Sequence, residues 1–217
     1  MIKLIIFDLD GTLLDTLEDL AGSVNYALAK NNFPIHSIES YKYFIGNGVN
    51  NLIESALPAE YRKTEMHAKI KADFIENYFS HADILTKPYP GIVHLLKSLD
   101  AEGYKLAVAS NKVHEATVSL VKRFFAEINF VSILGQREGF PTKPNPSILE
   151  EIIYKSGFDK SEVLYVGDSG VDVACAYNAK VKFAGVLWGF RPLKELEEVG
   201  ASVFVNTSEE LMSIIKD

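Results

Sequence analysis

The chain has 217 residues, with 22 basic against 29 acidic side chains and a net charge of −7. That balance argues against a nucleic-acid surface and gives no long-range pull on an anionic ligand, so any phosphate must be held by local cations, amides or a metal. At an apolar fraction of 47% no apolar run approaches the length of a membrane-spanning helix, and a single cysteine, Cys175, excludes an internal disulfide. The expectation is a cytoplasmic protein, monomer or homodimer, with neither nucleic acid nor membrane as partner. The short apolar run after Lys3 leads into aspartates rather than a leader peptide.

Leu4-Ile5-Ile6-Phe7 reads as a strand buried on both faces. It ends in Asp8 and Asp10, which extended backbone sets on one side about 7 Å apart, and in Gly11, which permits a sharp turn. Two buried carboxylates that close repel each other unless a cation lies between them or one holds a proton. Taken alone, Asp10-Gly11 also fits a plain turn after an edge strand. From Leu14 to about Leu85 the pattern is helical throughout. Leu17, Leu20, Ala21, Val24 and Leu28 follow helical spacing up to Asn31-Asn32-Phe33-Pro34. Ser37 is placed to cap a short second helix. Gly46-Asn47-Gly48 then breaks the pattern before a third helix that Pro58 ends, and Met66, Ile70, Phe74 and Tyr78 mark a fourth.

After Lys87-Pro88-Tyr89-Pro90-Gly91, helices alternate with short apolar strands. The expected strands are Leu106–Ala109, Phe130–Leu134, Val163–Val166, Phe183–Leu187 and Val203–Val205. Helices are expected over Ile92–Ala101, Glu115–Phe125, Pro146–Ser156, Val171–Ala179, Leu193–Val199 and Glu209–Ile215. Such alternation implies an α/β fold: a Rossmann-like parallel sheet with helices on both faces. A small all-helical cap is inserted after the first strand. The expected division is a core of residues 1–14 and 86–217 and a cap of residues 15–85.

Open parallel sheets bind ligands beyond the carboxyl ends of their strands. Asp8 and Asp10 lie there, as do Ser110-Asn111 and Gly167-Asp168-Ser169-Gly170-Val171-Asp172, and Lys143 follows in a loop. Each has a plain structural reading, as a cap, a turn or a solvated lysine. Together they make a site for Mg²⁺ and a phosphoryl group. Asp8 and Asp168 suit the metal. Ser110, Asn111, Lys143 and the turn amides at Gly11 and Thr12 suit the phosphoryl oxygens. Asp8 is able to attack phosphorus, and Asp10 is placed to move the proton. The five histidines show no metal-ligand spacing, and Cys175 reads as a packed core thiol.

With DLDGTLLDT, SNK, KPNP and GDSGVD in this order and a helical insert after the first, the chain resembles the haloacid dehalogenase superfamily. The resemblance spans essentially the whole chain. It implies that Asp8 is nucleophile and metal ligand, and that Asp10 is the general acid/base, reaching Mg²⁺ through its backbone carbonyl. It implies that Ser110, Asn111 and Lys143 hold the phosphoryl group, that Asp168 ligates the metal and that Asp172 acts at or just outside it. The dehalogenases themselves lack the second aspartate; Asp10 is present, which points to phosphoryl transfer. The cap stretch around Gly46-Asn47-Gly48 and the tail Trp188-Gly189-Phe190-Arg191-Pro192 are similar to those of phosphoglycolate phosphatases. Gly46, Asn47, Gly48 and Arg191 are therefore candidates for substrate choice, although Gly-Asn-Gly also fits an interhelical turn. The expected activity is Mg²⁺-dependent hydrolysis of a small phosphorylated metabolite, 2-phosphoglycolate first. A β-phosphoglucomutase-type isomerase, a pyrophosphatase and a non-catalytic binding protein are the alternatives.

Overall fold

Strand β1, Leu4–Phe7, lies at the centre of the molecule, and all four of its residues are buried. In this computed structural model, which describes residues 1–216, β1 pairs in parallel with β4 (Lys105–Val113) on one side and with β6 (Val163–Gly167) on the other. The full order is β5-β4-β1-β6-β7-β8, with β5 at Phe130–Gln136, β7 at Lys182–Val186 and β8 at Phe204–Val205. Every pairing is parallel. The chain leaves β1 in opposite directions across the sheet, so a crevice opens beyond the carboxyl ends of β1, β4 and β6.

Alternation along β1 feeds two cores. Ile5 and Phe7 join Leu95, Leu96 and Leu99 of α5 (Ile92–Ala101), Leu120 of α6 (His114–Phe124) and Leu211 of α10 (Ser208–Lys216). Leu4 and Ile6 join Leu149 and Ile152 of α7 (Ser147–Ser156) and Cys175 of α8 (Gly170–Ala179). Each fully buried Leu or Ile is worth roughly 1.5–3 kcal/mol relative to exposure. The short helix α9, Leu193–Glu198, adds only Leu196 to the buried set.

The cap is four helices: α1 (Leu17–Lys30), α2 (Ile38–Phe44), α3 (Gly48–Ala56) and α4 (Glu65–His81). They share a core of their own, with Leu20, Val24, Leu28, Tyr41, Ile53 and Phe74 at its centre and Ala116 and Phe190 of the sheet domain docked against it. Ser37 is the N-cap of α2, but its hydroxyl meets Ser40 Oγ at 2.9 Å instead of a helix amide.

Two strand features depart from the sequence reading. Leu14–Asp15 is not helical: it forms β2, antiparallel to β3 (Lys87–Pro88), and the pair carries the chain into and out of the cap. Beside it, Asp19 accepts the amides of Leu85 and Thr86 at 3.0 and 2.8 Å, tying the two connecting strands together. Strand β4 does not stop at Ala109 but runs through Ser110-Asn111-Lys112 to Val113, with a register shift against β5 between Ala109 and Val113. That extension aims Ser110 and Lys112 into the crevice.

Candidate active site

Asp8 sits at the end of β1 with 7% of its surface exposed. After it the chain folds back on itself: the Leu9 carbonyl accepts the amides of Thr12, Leu13 and Leu14, and Gly11 N donates to Leu14 O at 2.9 Å. Gly11 has φ +83°, and a Cβ there would stand 2.3 Å from Asp168 Oδ2, so the turn admits only glycine. This corrects one expectation. The Gly11 and Thr12 amides are consumed by the turn, and the Thr12 hydroxyl donates to Asp168 Oδ1 at 3.2 Å, so neither is free for a phosphoryl oxygen. The amides of Leu9 and Asp10, which the sequence did not single out, donate to no acceptor among the described residues.

Lys143 reaches the site from the loop between β5 and α7, and its side chain is 1% exposed. An ammonium has three N–H donors. They go to Ala109 O at 3.2 Å, Tyr165 Oη at 2.8 Å and Asp172 Oδ1 at 2.7 Å. Its charge also lies 2.9 Å from Asp8 Oδ1, yet that oxygen is buried without a hydrogen bond. Burial pushes the Asp8 carboxyl up, Lys143 draws it down, Asp172 and Asp10 raise it again, and it settles at about 7. For Lys143 burial works against the charged form, but Asp172 and Asp8 outweigh it and the ammonium is held above its ordinary range. Asp172 is pushed up by burial and pulled down further by Lys143, Ser169 and Tyr165, so it stays ionised.

Asp168, at the end of β6, is held by Thr12 and by Phe190 N at 2.8 Å. Burial first, then Asp172 and Asp8, raise its carboxyl well above the usual range. Asp8, Asp168 and Asp172 each offer an oxygen, and the three lie within 4.8 Å of one another. Buried carboxylates this close, with two of them resisting ionisation, form a site for a divalent cation. Among the described residues no histidine joins such a group. Asp172 is the least available of the three, because Lys143 and Tyr165 hold Oδ1, and Ser169 holds Oδ2 through both its hydroxyl (2.6 Å) and its amide (3.2 Å).

Asp10 points to the other side of the turn. Its Oδ1 accepts the Thr16 hydroxyl at 2.7 Å, and Lys112 Nζ reaches Oδ1 and Oδ2 at 3.0 and 3.2 Å. Both partners were missed. Lys112 belongs to the SNK triplet at the end of the expected strand, and its burial follows from the extension of β4. Its ammonium is disfavoured by burial, but Asp10 and then Tyr78 more than restore it. Nζ also lies 4.6 Å from the centre of the Tyr78 ring, on cap helix α4.

The remaining candidates separate into lining and clamp. Ser110, Gly46 and Gly48 line the cleft between cap and sheet edge, which is partly open to solvent. Gly46 and Gly48 have φ +112° and +83°. Asn47 between them is not part of that lining. Asn111 is a clamp rather than a phosphoryl donor: Nδ2 donates to Gly46 O and Lys143 O at 2.9 and 3.1 Å, and Oδ1 accepts Lys143 N at 2.8 Å. Arg191 likewise turns to the protein, donating to Tyr43 O and Ile45 O at 3.3 and 3.0 Å and pairing with Glu195 at 3.3 Å. Its target is the carbonyl end of α2, where a cation is favoured, and not the cleft. Trp188 Nε1 donates to Thr12 O at 3.0 Å, a packing role for this side chain. Cys175 is a buried core thiol, and burial pushes it up to about 12.

The parallel sheet, the inserted cap and the buried carboxylate cluster define a capped α/β hydrolase with a divalent-cation site. The chain belongs to the haloacid dehalogenase-like hydrolases, whose family profile matches residues 5–186. A phosphoglycolate phosphatase of Cereibacter sphaeroides is 34% identical over 200 residues, covering 90% of this chain and 91% of the relative. One from Mesorhizobium japonicum is 32% identical over 198 residues, covering 89% and 87%. A crystal structure from Lactobacillus delbrueckii subsp. bulgaricus, described as a candidate phosphoglycolate phosphatase, has a TM-score of 0.91 at 33% identity and covers 98% of both chains. With its carboxylate cluster in place, the chain is an enzyme of the phosphatase type. No helix among the described residues is long and apolar enough to cross a membrane.

Proposed function

We propose that the chain is a Mg²⁺-dependent phosphomonoesterase whose substrate is 2-phosphoglycolate and whose intermediate is an aspartyl-phosphate on Asp8. The observation that carries this reading is Asp8 Oδ1: buried, 2.9 Å from the Lys143 ammonium, and with no other hydrogen-bond partner. Its lone pairs are free to attack, while Lys143 sits where it can share its charge with an incoming phosphoryl oxygen. The two relatives above, both phosphoglycolate phosphatases, support the choice of substrate.

A carboxylate oxygen of Asp8 attacks phosphorus, the ester P–O bond breaks, and Asp10 gives its proton to the leaving oxygen, releasing glycolate. Water then attacks the acyl phosphate and its proton goes to Asp10. Inorganic phosphate leaves and the Asp8 carboxylate is restored. Ser110 and the free Leu9 and Asp10 amides hold the phosphoryl oxygens, and the Lys143 ammonium contributes its charge beside them. Asp8, Asp168 and the Asp10 carbonyl hold the cation, with Asp172 just outside it. Bound there, Mg²⁺ supplies positive charge for the transferring phosphoryl group and relieves the repulsion among the carboxylates. Residues 15–85 act as the cap that excludes water, and residues 1–14 and 86–217 as the core. A buried, unbridged Cys175 suits a reducing, cytoplasmic setting, and no part of this chemistry needs more than a monomer or homodimer.

Phosphate release from 2-phosphoglycolate, dependent on added Mg²⁺, tests the reading, and hydroxylamine should trap the acyl phosphate at Asp8. Isomerised sugar phosphate from glucose 1-phosphate, with no free phosphate, would show a mutase instead.

A further inference from the structure

The cleft above the phosphoryl site has two chemistries. Its polar foot is Asp8, Asp10, Ser110 and Lys112 from the sheet domain, and its cap wall is hydrocarbon: Leu20, Val49, Leu52, Phe74, Ile75 and Phe79. Into this cleft the cap sends a single polar side chain, Tyr78. The residue is 4% exposed, and its buried hydroxyl makes no well-aligned hydrogen bond among the described residues; the charged group beside it is the Lys112 ammonium. Native proteins leave few buried hydroxyls without a well-made bond, so one carried by a residue that lines a substrate cleft asks for a partner from the substrate. Beside it stands Lys112, with Nζ 4.6 Å from the Tyr78 ring centre and hydrogen-bonded to both oxygens of Asp10.

We propose that Tyr78 Oη and Lys112 Nζ together form the subsite for a carboxylate on the leaving group, and that this pair selects phosphorylated 2-hydroxy acids over sugar phosphates. The inference rests on the phosphatase reading above and deepens it. The leaving oxygen must come to Asp10 to receive its proton. The Lys112 ammonium is already in contact with Asp10, so the atoms next along the leaving group come to lie beside it. In a phosphorylated 2-hydroxy acid the carboxylate carbon is two bonds from that oxygen. One ammonium and one phenol hydroxyl match the two oxygens of a carboxylate. A sugar would instead press several hydroxyls against Val49, Leu52, Phe74 and Phe79, which offer them nothing in exchange for water.

The test is Tyr78→Phe, which removes one oxygen and keeps the ring, the wall and the contact with Lys112. Three readouts follow. First, Y78F should melt close to the wild type, because the lost hydroxyl makes no well-aligned bond and Lys112 keeps both of its contacts to Asp10; a clear fall in Tm would assign it a structural bond and overturn the subsite. Second, Y78F should lower kcat/KM for 2-phosphoglycolate at least tenfold more than for ethyl phosphate, the same chain without the carboxylate, and chiefly through KM. Equal losses on both substrates would place the hydroxyl on the phosphoryl group or the leaving oxygen and sink the proposal. Third, calorimetric binding of 2-phosphoglycolate to the Asp8→Asn protein should weaken at least tenfold when Y78F is added. That binding measurement needs no turnover. Selective binding without phosphate release would overturn the phosphatase reading and leave the subsite standing, whereas phosphate release without selectivity would do the reverse.

Discussion

The two walls of the cleft follow opposite rules. On the sheet side the network behind the nucleophile is committed, and what stays open is Asp8 Oδ1 with the Leu9 and Asp10 amides. Lys143 spends its three N–H groups on Ala109, Tyr165 and Asp172, and Asp172 has partners on both oxygens. On the cap side the wall is hydrocarbon except for one hydroxyl, and that hydroxyl makes no well-aligned bond within the protein. The difference teaches where chemistry and choice reside. A satisfied network is rigid, and a carboxylate held within it faces the same groups whatever the leaving group. A wall with one unspent donor is sensitive to the single substrate atom that meets it.

The largest effects should come from breaking the committed side. Asp8→Asn should reduce phosphate release to below about a hundredth of wild type while the fold survives, because it removes the nucleophile without changing the shape of the site. Residual turnover above that level contradicts attack by Asp8. Lys143→Met should cost both activity and stability. It strips the partner from Asp172 and the compensating charge from Asp8, and breaking a buried ion pair this way costs about 3–5 kcal/mol. Urea unfolding is the check: a loss below about 1 kcal/mol would mean that the network does not depend on its cation.

The same contrast explains what the sequence disclosed. The sheet, its helices and the inserted cap follow from periodicity sustained over several residues, as in Leu4–Phe7 and in Leu17 to Leu28. The ladder between β2 and β3 is only two residues on each strand, too short for any period to register. Asp8, Ser110, Lys143, Asp168 and Asp172 could be found because each follows a strand that the pattern reveals. Their hydrogen-bond assignments could not. Whether Asn111 faces a ligand or braces Gly46 depends on the cap docking from 65 positions away in the chain. Lys112 and Tyr78 were missed for the same reason: neither carries a signal until α4 lies over β4.

A smaller effect follows from the carboxyl of Asp8, which burial raises to about 7 from an ordinary value of 3.8. The unfolded chain releases this proton near pH 4 and the folded, cation-free protein near 7. The group therefore favours the fold fully at low pH, and that contribution fades as the pH rises to about 7. Above it, Asp8 is ionised among carboxylates, and a divalent cation has most to offset. Added Mg²⁺ should thus raise Tm more at pH 8 than at pH 5.5, where binding must first displace a proton. Equal shifts at the two pH values would mean that the cation does not meet Asp8.

The smallest effect should come from the clamp. Arg191 touches the carbonyls of Tyr43 and Ile45 and stacks on the Tyr43 ring at 5.2 Å, outside the cleft. Arg191→Met removes those bonds while keeping much of the side-chain bulk, so the cap should close less firmly over any substrate. The expected result is a fall in kcat/KM of a few-fold, about the value of one or two hydrogen bonds, and the same for 2-phosphoglycolate as for ethyl phosphate. Asn47→Ala should do less still, since the side chain lies outside the cleft lining and the two glycines beside it hold the loop conformation. The ratio between the two substrates is the discriminating measurement. Were Arg191→Met to collapse that ratio as Tyr78→Phe is expected to, the substrate's carboxylate would be reaching the guanidinium, and choice would reside in the clamp instead of in the one free hydroxyl of the cap.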